Sequence, residues 1–393
     1  MLELPPLALY VHVPWCVRKC PYCDFNSHGV GATQQLPEQA YLNALLSDLE
    51  QEVRRVGSRK LVSVFIGGGT PSLMSPDFYQ ALLRGINQHL ELAVDCEVTL
   101  EANPGTLEQG RFAGYRENGI NRLSIGIQSF QPAQLKTLGR IHDGEQAHHA
   151  VTSARRAGFD NLNLDLMHGL PQQDVALALD DIEQALSLNP EHLSWYQLTL
   201  EPNTEFYSHP PALPEDETLW DIQDAGHARL EGAGLKRYEI SAYARSGRRS
   251  RHNLNYWQFG DYIGIGAGAH GKLSRWSEDG ELVVERYWKS RQPDAYLRRQ
   301  HDPRGFLAGS QRIDTAALPL EFAMNALRLV EGVSFDEWLR TSGRPLNELE
   351  EKLVVAREKG LVMEDSFYLQ ASPQGLLFLN DLLVLISDGG RHT

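Results

Sequence analysis

Short apolar runs alternate with longer amphipathic segments through the first two-thirds of the chain. Six runs have the length and composition of buried strands: residues 7–13, 61–69, 97–105, 122–130, 161–171 and 192–202. Between them, apolar residues recur with helical spacing over residues 38–56, 76–90, 107–118, 144–157 and 174–188. Many of these helical segments open at Pro, Ser, Thr or Asp and close near Gly or Asn. Strand-then-helix units with short connections predict a parallel sheet, open or closed.

Polar residues and glycines collect at the carboxyl end of nearly every predicted strand. Examples are GGGTPS at residues 67–72 and EANPG at residues 101–105. In a β/α barrel, the carboxyl ends of the strands form the face that carries the active site. The pattern therefore favours an α/β fold, a partial (β/α)6 TIM-like barrel, over a doubly wound sheet.

The rhythm changes after about residue 235. Residues 236–302 contain a strand candidate, a basic and aromatic loop and a glycine-rich turn. A polar stretch then precedes helical patterns at 320–332, 334–343 and 346–360 and a predicted strand pair at 361–365 and 367–372. That order resembles a winged helix. We therefore expect a barrel in residues 1–235, a barrel extension in 236–302 and a C-terminal helical, winged-helix-like module in 303–393.

Charge and composition narrow the function classes. The 393 residues include 51 Asp and Glu against 37 Lys and Arg, for a net charge of −14. A sequence-independent hold on nucleic acid needs a cationic surface, so nucleic acid is not an expected partner. The C-terminal module is also acidic, with 11 Asp and Glu against 6 Lys and Arg over residues 316–384. We therefore interpret it as an interaction or lid module rather than a DNA-binding one.

The sequence predicts a cytoplasmic protein without a membrane span. Its first residues, MLELPPLALYVHVP, lack the basic segment of a signal peptide, and no stretch offers about 18 uninterrupted apolar residues. Four cysteines in so long a chain do not suggest a disulfide framework. Clustered cysteines in a reducing compartment usually bind metal or carry out redox chemistry.

Three of the cysteines, Cys16, Cys20 and Cys23, have the spacing C-x3-C-x2-C. Thiolates hold iron–sulfur clusters, and three on one tight loop can bind three irons of a four-iron cube while the fourth iron stays open. Two alternatives remain: a zinc site with His12 or His28 as fourth ligand, or incidental buried thiols. Cys96 stands alone before the third predicted strand, and we interpret it as a core residue.

The cysteine spacing, with Tyr22 just before the last cysteine and the glycine run at residues 67–72, resembles the radical S-adenosylmethionine (SAM) superfamily. The resemblance implies that Cys16, Cys20 and Cys23 hold a [4Fe–4S] cluster whose open iron binds SAM. It is strongest for the oxygen-independent coproporphyrinogen III oxidase-like family. By that resemblance, the residues near the cluster and one or two SAM molecules are Tyr10, Tyr22, Gly68, Gly69, Thr70, Glu101, Gln128, Arg140 and Asp165. The alternative for the polar strand ends is the ordinary rim of a sheet.

Three features separate the oxidase from the haem chaperone branch of this family. The oxidase has a further cysteine two residues after the last cluster ligand, where this chain has Phe25. The oxidase also carries an extension before its first strand. In this chain the first predicted strand begins within about ten residues of Met1. Residues 252–257, HNLNYW, match the H-N-x-x-Y-W motif of the chaperones.

The HNLNYW match implies haem contacts. His252 would bind the haem iron, and Tyr256 and Trp257 would stack on the porphyrin. The alternative for His252 is an ordinary loop histidine with its hydrogen bonds satisfied. Nearby arginines are candidates for the haem propionates or for a solvated loop: Arg245, Arg248, Arg249 and Arg251. His270 follows a glycine-rich turn, and no ligand is assigned to it.

The expected function is a haem chaperone that binds haem, SAM and a [4Fe–4S] cluster. It would deliver haem to haem-requiring acceptor proteins, including membrane-bound respiratory enzymes. The first alternative is the oxidase itself, which decarboxylates two propionates of coproporphyrinogen III by radical chemistry, and the second is a zinc-binding scaffold. The sequence leaves open whether SAM is cleaved and whether the chain forms a homodimer.

Overall fold

The computed structural model describes residues 4–31 and 35–388. Its strands are β1 (Leu7–Val13), β2 (Trp15–Cys16), β3 (His28–Gly29), β4 (Leu61–Gly68), β5 (Leu92–Ala102), β6 (Arg122–Gln128), β7 (Leu162–His168), β8 (His192–Gln197), β9 (Lys236–Glu239), β10 (Ala242–Ala244), β11 (Asp261–Ile265), β12 (His270–Trp276), β13 (Leu282–Lys289), β14 (Leu307–Arg312), β15 (Val333–Ser334) and β16 (Tyr368–Leu369).

Helices connect and cover these strands. They are α1 (Glu38–Val56), α2 (Pro76–His89), α3 (Thr106–Gln109), α4 (Phe112–Glu117), α5 (Pro132–Thr137), α6 (Gly144–Arg156), α7 (Val175–Ser187), α8 (Glu205–Ser208), α9 (Asp216–Gly232), α10 (Arg251–Trp257), α11 (Pro293–Arg298), α12 (Leu318–Ala326), α13 (Phe335–Ser342), α14 (Leu346–Glu358), α15 (Pro373–Leu377) and α16 (Leu379–Asp388). Short 3-10 helices lie at Pro71–Leu73, Arg299–His301 and Thr315–Ala317. Within the described residues, no helix is both long and apolar enough to cross a membrane.

The six predicted barrel strands are β1, β4, β5, β6, β7 and β8. They are hydrogen-bonded to one another in that order, and every pairing is parallel. The α/β partial barrel is therefore confirmed. On one side β8 pairs antiparallel with β10 and then β9, and on the other β1 pairs parallel with β11, which leads into antiparallel β12, β13 and β14.

The sheet extends past the predicted domain boundaries, because β14 ends at Arg312. The division at residues 235 and 302 stays a prediction. The C-terminal helices also share one core with the barrel extension. Tyr238 and Phe259 from the extension pack in the same cluster as Phe322 and Trp338 from α12 and α13.

Local sequence explains where the helices begin. The Ser75 side chain accepts a hydrogen bond from the Phe78 N–H, and proline follows it at the first helical position of α2. Asp143 and Gln146 form a reciprocal capping box at the start of α6. The predicted helix at 107–118 is instead two short helices, α3 and α4, because the chain turns at the intervening glycine and arginine.

The predicted strand pair at 361–365 and 367–372 forms only in part: the Met363 N–H donates to the Gln370 carbonyl and the Ser372 N–H donates to the Leu361 carbonyl, both over 2.9 Å. Val362 and Ala371 form only a single bridge, and β16 pairs with β15. The physical reason is a tight turn at Asp365. Its carboxylate accepts hydrogen bonds from the N–H groups of Phe367 and Tyr368, which removes them from a ladder with the preceding segment.

The two faces of the barrel sheet differ in polarity. Outward side chains such as Val64, Leu100 and Leu164 pack in the main apolar core against the helices. Side chains alternate along a strand, so the neighbouring residues face the barrel interior. These inward positions are largely buried and polar: Ser63, Glu97, Thr99, Arg122, Ser124, Asn163 and His192. Helix α10 contacts β4, β1 and β11 and fills part of this interior.

A buried ion cluster joins α1 to the barrel extension. Lys289 on β13 lies 2.6 Å from a carboxylate oxygen of both Asp48 and Glu52 on α1. The Tyr296 hydroxyl donates to Asp48 over 2.7 Å. Burial, partly offset by Lys289, raises the pKa of Asp48 to about 6. The lysine therefore compensates both carboxylates: it is the cation paired with Asp48, whereas Glu52 also pairs with Arg55 over 2.9 Å.

We expect Lys289→Met to lower the free energy of unfolding by about 3–5 kcal/mol, because removing one partner of a buried ion pair leaves uncompensated charge. The matched control is Lys60→Met, whose lysine pairs with Glu91 at an exposed site and should cost less than about 1 kcal/mol. Denaturant unfolding of both variants measures the difference. Equal losses would mean that the buried cluster does not hold α1 to the sheet.

Candidate functional site

A cavity of about 320 Å³ opens at the carboxyl ends of the barrel strands. Most of the residues predicted to surround the cluster and SAM line it: Cys16, Cys20, Tyr22, Cys23, Gly68, Gly69, Thr70, Glu101, Gln128, Arg140 and Asp165. They come from the loop after β1 and from β4, β5, β6, β7 and the segment before α6. The parallel order of the strands brings them together because all these strands end at the same face.

The cysteine loop is braced by backbone hydrogen bonds. Cys16 lies on β2, which pairs with β3 at the far end of the loop, and the Cys23 N–H donates to the Cys20 carbonyl over 3.2 Å. The sulfur of Cys23 lies 3.6 Å from the Ser27 hydroxyl. All three cysteines are free thiols that line the cavity. The loop thus presents three potential metal ligands to one space.

The buried thiols of this loop would ionise only with a nearby cation to stabilise the thiolate. Burial raises the pKa of Cys16 to about 11, so the thiol alone stays protonated at neutral pH. A bound metal favours the thiolate, which is the ligand form. Among residues 4–31 and 35–388, no three His, Cys, Asp or Glu side chains converge on one ion. A four-iron cube does not need such convergence, because each thiolate binds a different iron.

The glycine turn after β4 packs directly on the cysteine loop. A Cβ atom on Gly68, whose φ is +124°, would lie 2.7 Å from the His12 ring, and one on Gly69 would lie 2.5 Å from the Trp15 carbonyl oxygen. The N–H of Thr70 donates to the same carbonyl over 2.7 Å. The glycines therefore permit close approach within the chain itself, in addition to lining the cavity.

Two carboxyl groups face the cavity, that of Glu101 on β5 and that of Asp165 on β7. Glu101 accepts a hydrogen bond from the Gly68 N–H over 3.0 Å. Burial and the nearby Asp165 raise the pKa of Glu101 to about 8. Asp165 accepts from Ser124 over 3.0 Å and from Asn163 over 2.8 Å, and burial raises its pKa as well. A cationic group bound here, such as an ammonium, would relieve the cost of ionising these carboxyls.

Arg140 connects the cavity wall to the cysteine loop. Its guanidinium donates to the Gly126 carbonyl over 2.6 Å and to the Asn103 side chain over 2.8 Å. It also lies 3.7 Å from the Cys20 sulfur. A guanidinium at this distance favours the thiolate form of the cysteine. Arg140 is therefore placed both to orient polar groups and to stabilise negative charge at the loop.

Sequence reasoning missed several polar residues that line the same cavity. Asn103 bridges Arg140 and Thr70, and Tyr196 donates through its hydroxyl to Gln128 over 2.7 Å. Ser194 lies one inward position before Tyr196 on β8. The sequence pattern that could have identified two of them is the alternation on β8. Ser194 and Tyr196 face inward there, on either side of the buried, outward-facing Trp195.

The remaining predicted contacts lie elsewhere. Tyr10 points into the barrel interior, with its hydroxyl 2.9 Å from His12 Nδ1 and its ring beside that of Phe65. His252 lies on α10 near the amino-terminal half of β4, and both of its ring nitrogens are engaged. Nδ1 is 3.0 Å from the Ser63 hydroxyl and Nε2 is 2.8 Å from the Tyr256 hydroxyl. Burial lowers the pKa of His252 to about 3.

The other residues of the HNLNYW segment and its arginines also have partners within the chain. The Tyr256 ring packs against Tyr262, and the Trp257 ring carries the Arg328 guanidinium at 4.4 Å from its centroid. The four arginines of the preceding loop also have partners. Arg245 binds Asn189 and the Pro190 carbonyl, and Arg248 binds Asp160. Arg249 binds Glu331, and Arg251 binds Asp95. A propionate would have to compete with these contacts.

Comparison with known proteins decides the family. The model of the radical SAM superfamily matches residues 10–182, and that of the HemN C-terminal domain matches residues 313–378. The chain is 48% identical to the heme chaperone HemW of Escherichia coli, over 98% of this chain and 99% of that protein. The chain belongs to the HemW family of the radical SAM superfamily. Membership implies a SAM-binding [4Fe–4S] cluster, and the residues of the cavity fit both in donor chemistry.

Other relatives agree with this assignment. The HemW of Haemophilus influenzae is 47% identical over 98% of this chain and 99% of its own length, and that of Bacillus subtilis is 33% identical over 95% and 97%. Among solved structures, the coproporphyrinogen III oxidase HemN of Escherichia coli matches with a TM-score of 0.80 and 21% identity, over 98% of this chain and 90% of that chain. That likeness shows a shared fold.

We expect Cys20→Ala to abolish stoichiometric iron and sulfide binding, since the cluster would lose one of three ligands. Cys96→Ala is the matched control because Cys96 is buried in the core on β5, as predicted. Anaerobic iron and sulfide analysis should give about four of each per chain in the control. Iron retained by Cys20→Ala at the control's level would contradict the ligand assignment.

The raised pKa of Glu101 predicts a pH dependence of stability. Between its ordinary pKa of 4.5 and about 8, the folded carboxyl keeps a proton that the unfolded chain releases, so stability falls as pH rises. Glu101→Gln should reduce this slope by up to about 1.4 kcal/mol per pH unit. Denaturant unfolding from pH 5 to 8 without SAM measures it. The exposed Glu91→Gln serves as control, and an unchanged slope in Glu101→Gln would refute the prediction.

Proposed function

We propose that this protein is a haem chaperone, which binds haem and passes it to haem-requiring acceptor proteins. The observation that carries the proposal is the full-length similarity to proteins named heme chaperone HemW; a cavity lined by Cys16, Cys20 and Cys23 supports it. The acceptors would include membrane-bound respiratory enzymes. A homodimer stays a prediction.

Phe25 supports the chaperone over the oxidase. It lines the cofactor cavity, and its side chain is 61% exposed. By the resemblance described above, the oxidase has a cysteine at this position. A phenyl ring supplies neither a thiol nor a hydrogen-bonding group, so any chemistry that depends on that cysteine is missing here. The cavity mouth instead offers an apolar surface.

The cofactor site has a defined set of residues in this proposal. Cys16, Cys20 and Cys23 would hold the cluster, and the glycine turn with Glu101 would bind the amino end of SAM. When bound, the [4Fe–4S] cluster would supply an electron-transfer centre with one open iron. Arg140 would favour the thiolate at Cys20.

The predicted haem contacts at His252, Tyr256 and Trp257 remain part of the proposal with a stated geometric condition. Iron binding through Nε2 would require the hydrogen bond between His252 and Tyr256 to break, and α10 would have to leave its place against β4. The motif therefore contributes to haem binding only if this helix moves, or it contributes indirectly by shaping the barrel.

We expect one anaerobic preparation, reconstituted with iron and sulfide, to bind about one haem per chain and to leave coproporphyrinogen III unconverted in the presence of SAM and a reductant. Haem uptake is followed in the Soret band, and products are separated by chromatography. The Escherichia coli oxidase serves as positive control for conversion. Robust formation of protoporphyrinogen IX would make the oxidase the correct function, and no haem uptake would remove the chaperone proposal.

A further inference from the structure

A histidine that binds haem iron needs a free ring nitrogen and room for a flat macrocycle. Three buried histidines of the barrel interior have both nitrogens engaged. His12 contacts Tyr10 and the Asn26 carbonyl, His192 contacts Asn163 and Tyr238, and His252 contacts Ser63 and Tyr256. These imidazoles are held in place by the protein and are closed to a ligand of haem size.

His270 differs from them in its exposure and in its ring contacts. It is the first residue of β12, it is exposed, and within the described residues its ring forms no hydrogen bond. Its cross-strand partner is Trp288 on β13, whose ring centroid lies 6.4 Å away at an interplanar angle of 32°. Trp288 is itself 36% exposed. An accessible imidazole and an accessible indole thus lie side by side on one face of a rigid sheet.

Positive charge lies next to this pair. Partial burial and the nearby Arg291 and Arg286 together lower the pKa of His270, which favours the neutral imidazole, the form that binds a metal. Arg286 is paired with Glu321, whereas Arg291 is exposed. The backbone carbonyl of Arg291 accepts a hydrogen bond from Asn26 over 2.8 Å, which fixes the position of the chain there. Arg291 is therefore available for a carboxylate.

The same asparagine links this face to the cysteine loop. Asn26, three residues after Cys23, donates to the carbonyl groups of Ala267 and Arg291 over 2.9 and 2.8 Å. Gly268 between them has a φ of +82°, and a Cβ there would collide with the Asn26 side chain. The turn that leads into His270 therefore packs directly on the loop that carries the three cysteines.

We propose that haem binds on the face formed by β12 and β13, with His270 as an axial ligand of the iron. The imidazole donates a nitrogen lone pair to the iron, so no electron is transferred and no other bond breaks. The Trp288 ring packs against the porphyrin, and Arg291 pairs with one propionate. This inference rests on the proposed haem binding and deepens it by naming the site.

The test compares haem titrations of the wild-type protein with those of His270→Ala, His252→Ala and His149→Ala. His149 is an exposed histidine on α6 and serves as the matched control. We expect His270→Ala to raise the Kd for haem at least about tenfold and to change the Soret band, with His149→Ala unchanged. Adding free imidazole should restore the wild-type spectrum of His270→Ala, which a merely structural role of His270 would not produce.

The outcomes separate this inference from the function itself. No haem uptake by the wild-type protein would remove the proposed function. Normal uptake by the wild type with an unchanged Kd and spectrum in His270→Ala would overturn the site, and the ligand would be His252 if only His252→Ala lost binding.

Arg291→Ala gives a second measurement that does not depend on the histidine. It should weaken haem but leave haem dimethyl ester unaffected, because the ester lacks the carboxylates. Equal effects on the two ligands would contradict the propionate contact. Circular dichroism of each variant confirms that the fold is retained before titration.

Discussion

The candidate site depends on a backbone contact that has no room for a side chain. The glycine turn after β4 lies against the residues from His12 to Trp15, and hydrogen bonds from Gly69 and Thr70 fix it there. This contact sets the distance between the cysteine loop and the strands that carry the carboxyls. Glu101 depends on it as well, because its carboxylate is held by the Gly68 N–H. A side chain at either glycine would separate the two halves of the cavity.

Below the cavity, the barrel interior is lined by buried polar side chains. Asp165 binds Ser124 and Asn163, Asn163 binds His192, and His192 reaches Tyr238 on the barrel extension. Buried polar groups are tolerated when each has a partner, and this chain of contacts provides them. The main apolar core lies outside the sheet and supplies most of the stability through burial of apolar surface. The polar contacts of the interior instead hold side chains in defined positions.

The α10 helix belongs to this interior. Glu97 on β5 accepts hydrogen bonds from the N–H groups of Arg251 and His252, which places a carboxylate at the amino end of the helix, where its dipole favours negative charge. Ser63 then fixes the imidazole from the neighbouring strand. A histidine that the motif predicts as a haem ligand is thereby held by contacts within the fold.

The sequence by itself determined the six-stranded barrel and most of the cofactor cavity. Cys16, Cys20 and Cys23 are close in the chain, and Glu101 and Asp165 end parallel strands that must meet at one face. It did not determine the partners of His252, because Ser63 lies 189 residues away and only the packing of α10 joins them. The pairing of His270 with Trp288, the turn at Asp365 and the role of Asn103 were likewise decided by tertiary structure. Local spacing and strand periodicity carry information along the chain, whereas contacts between distant segments arise only when the sheet has folded.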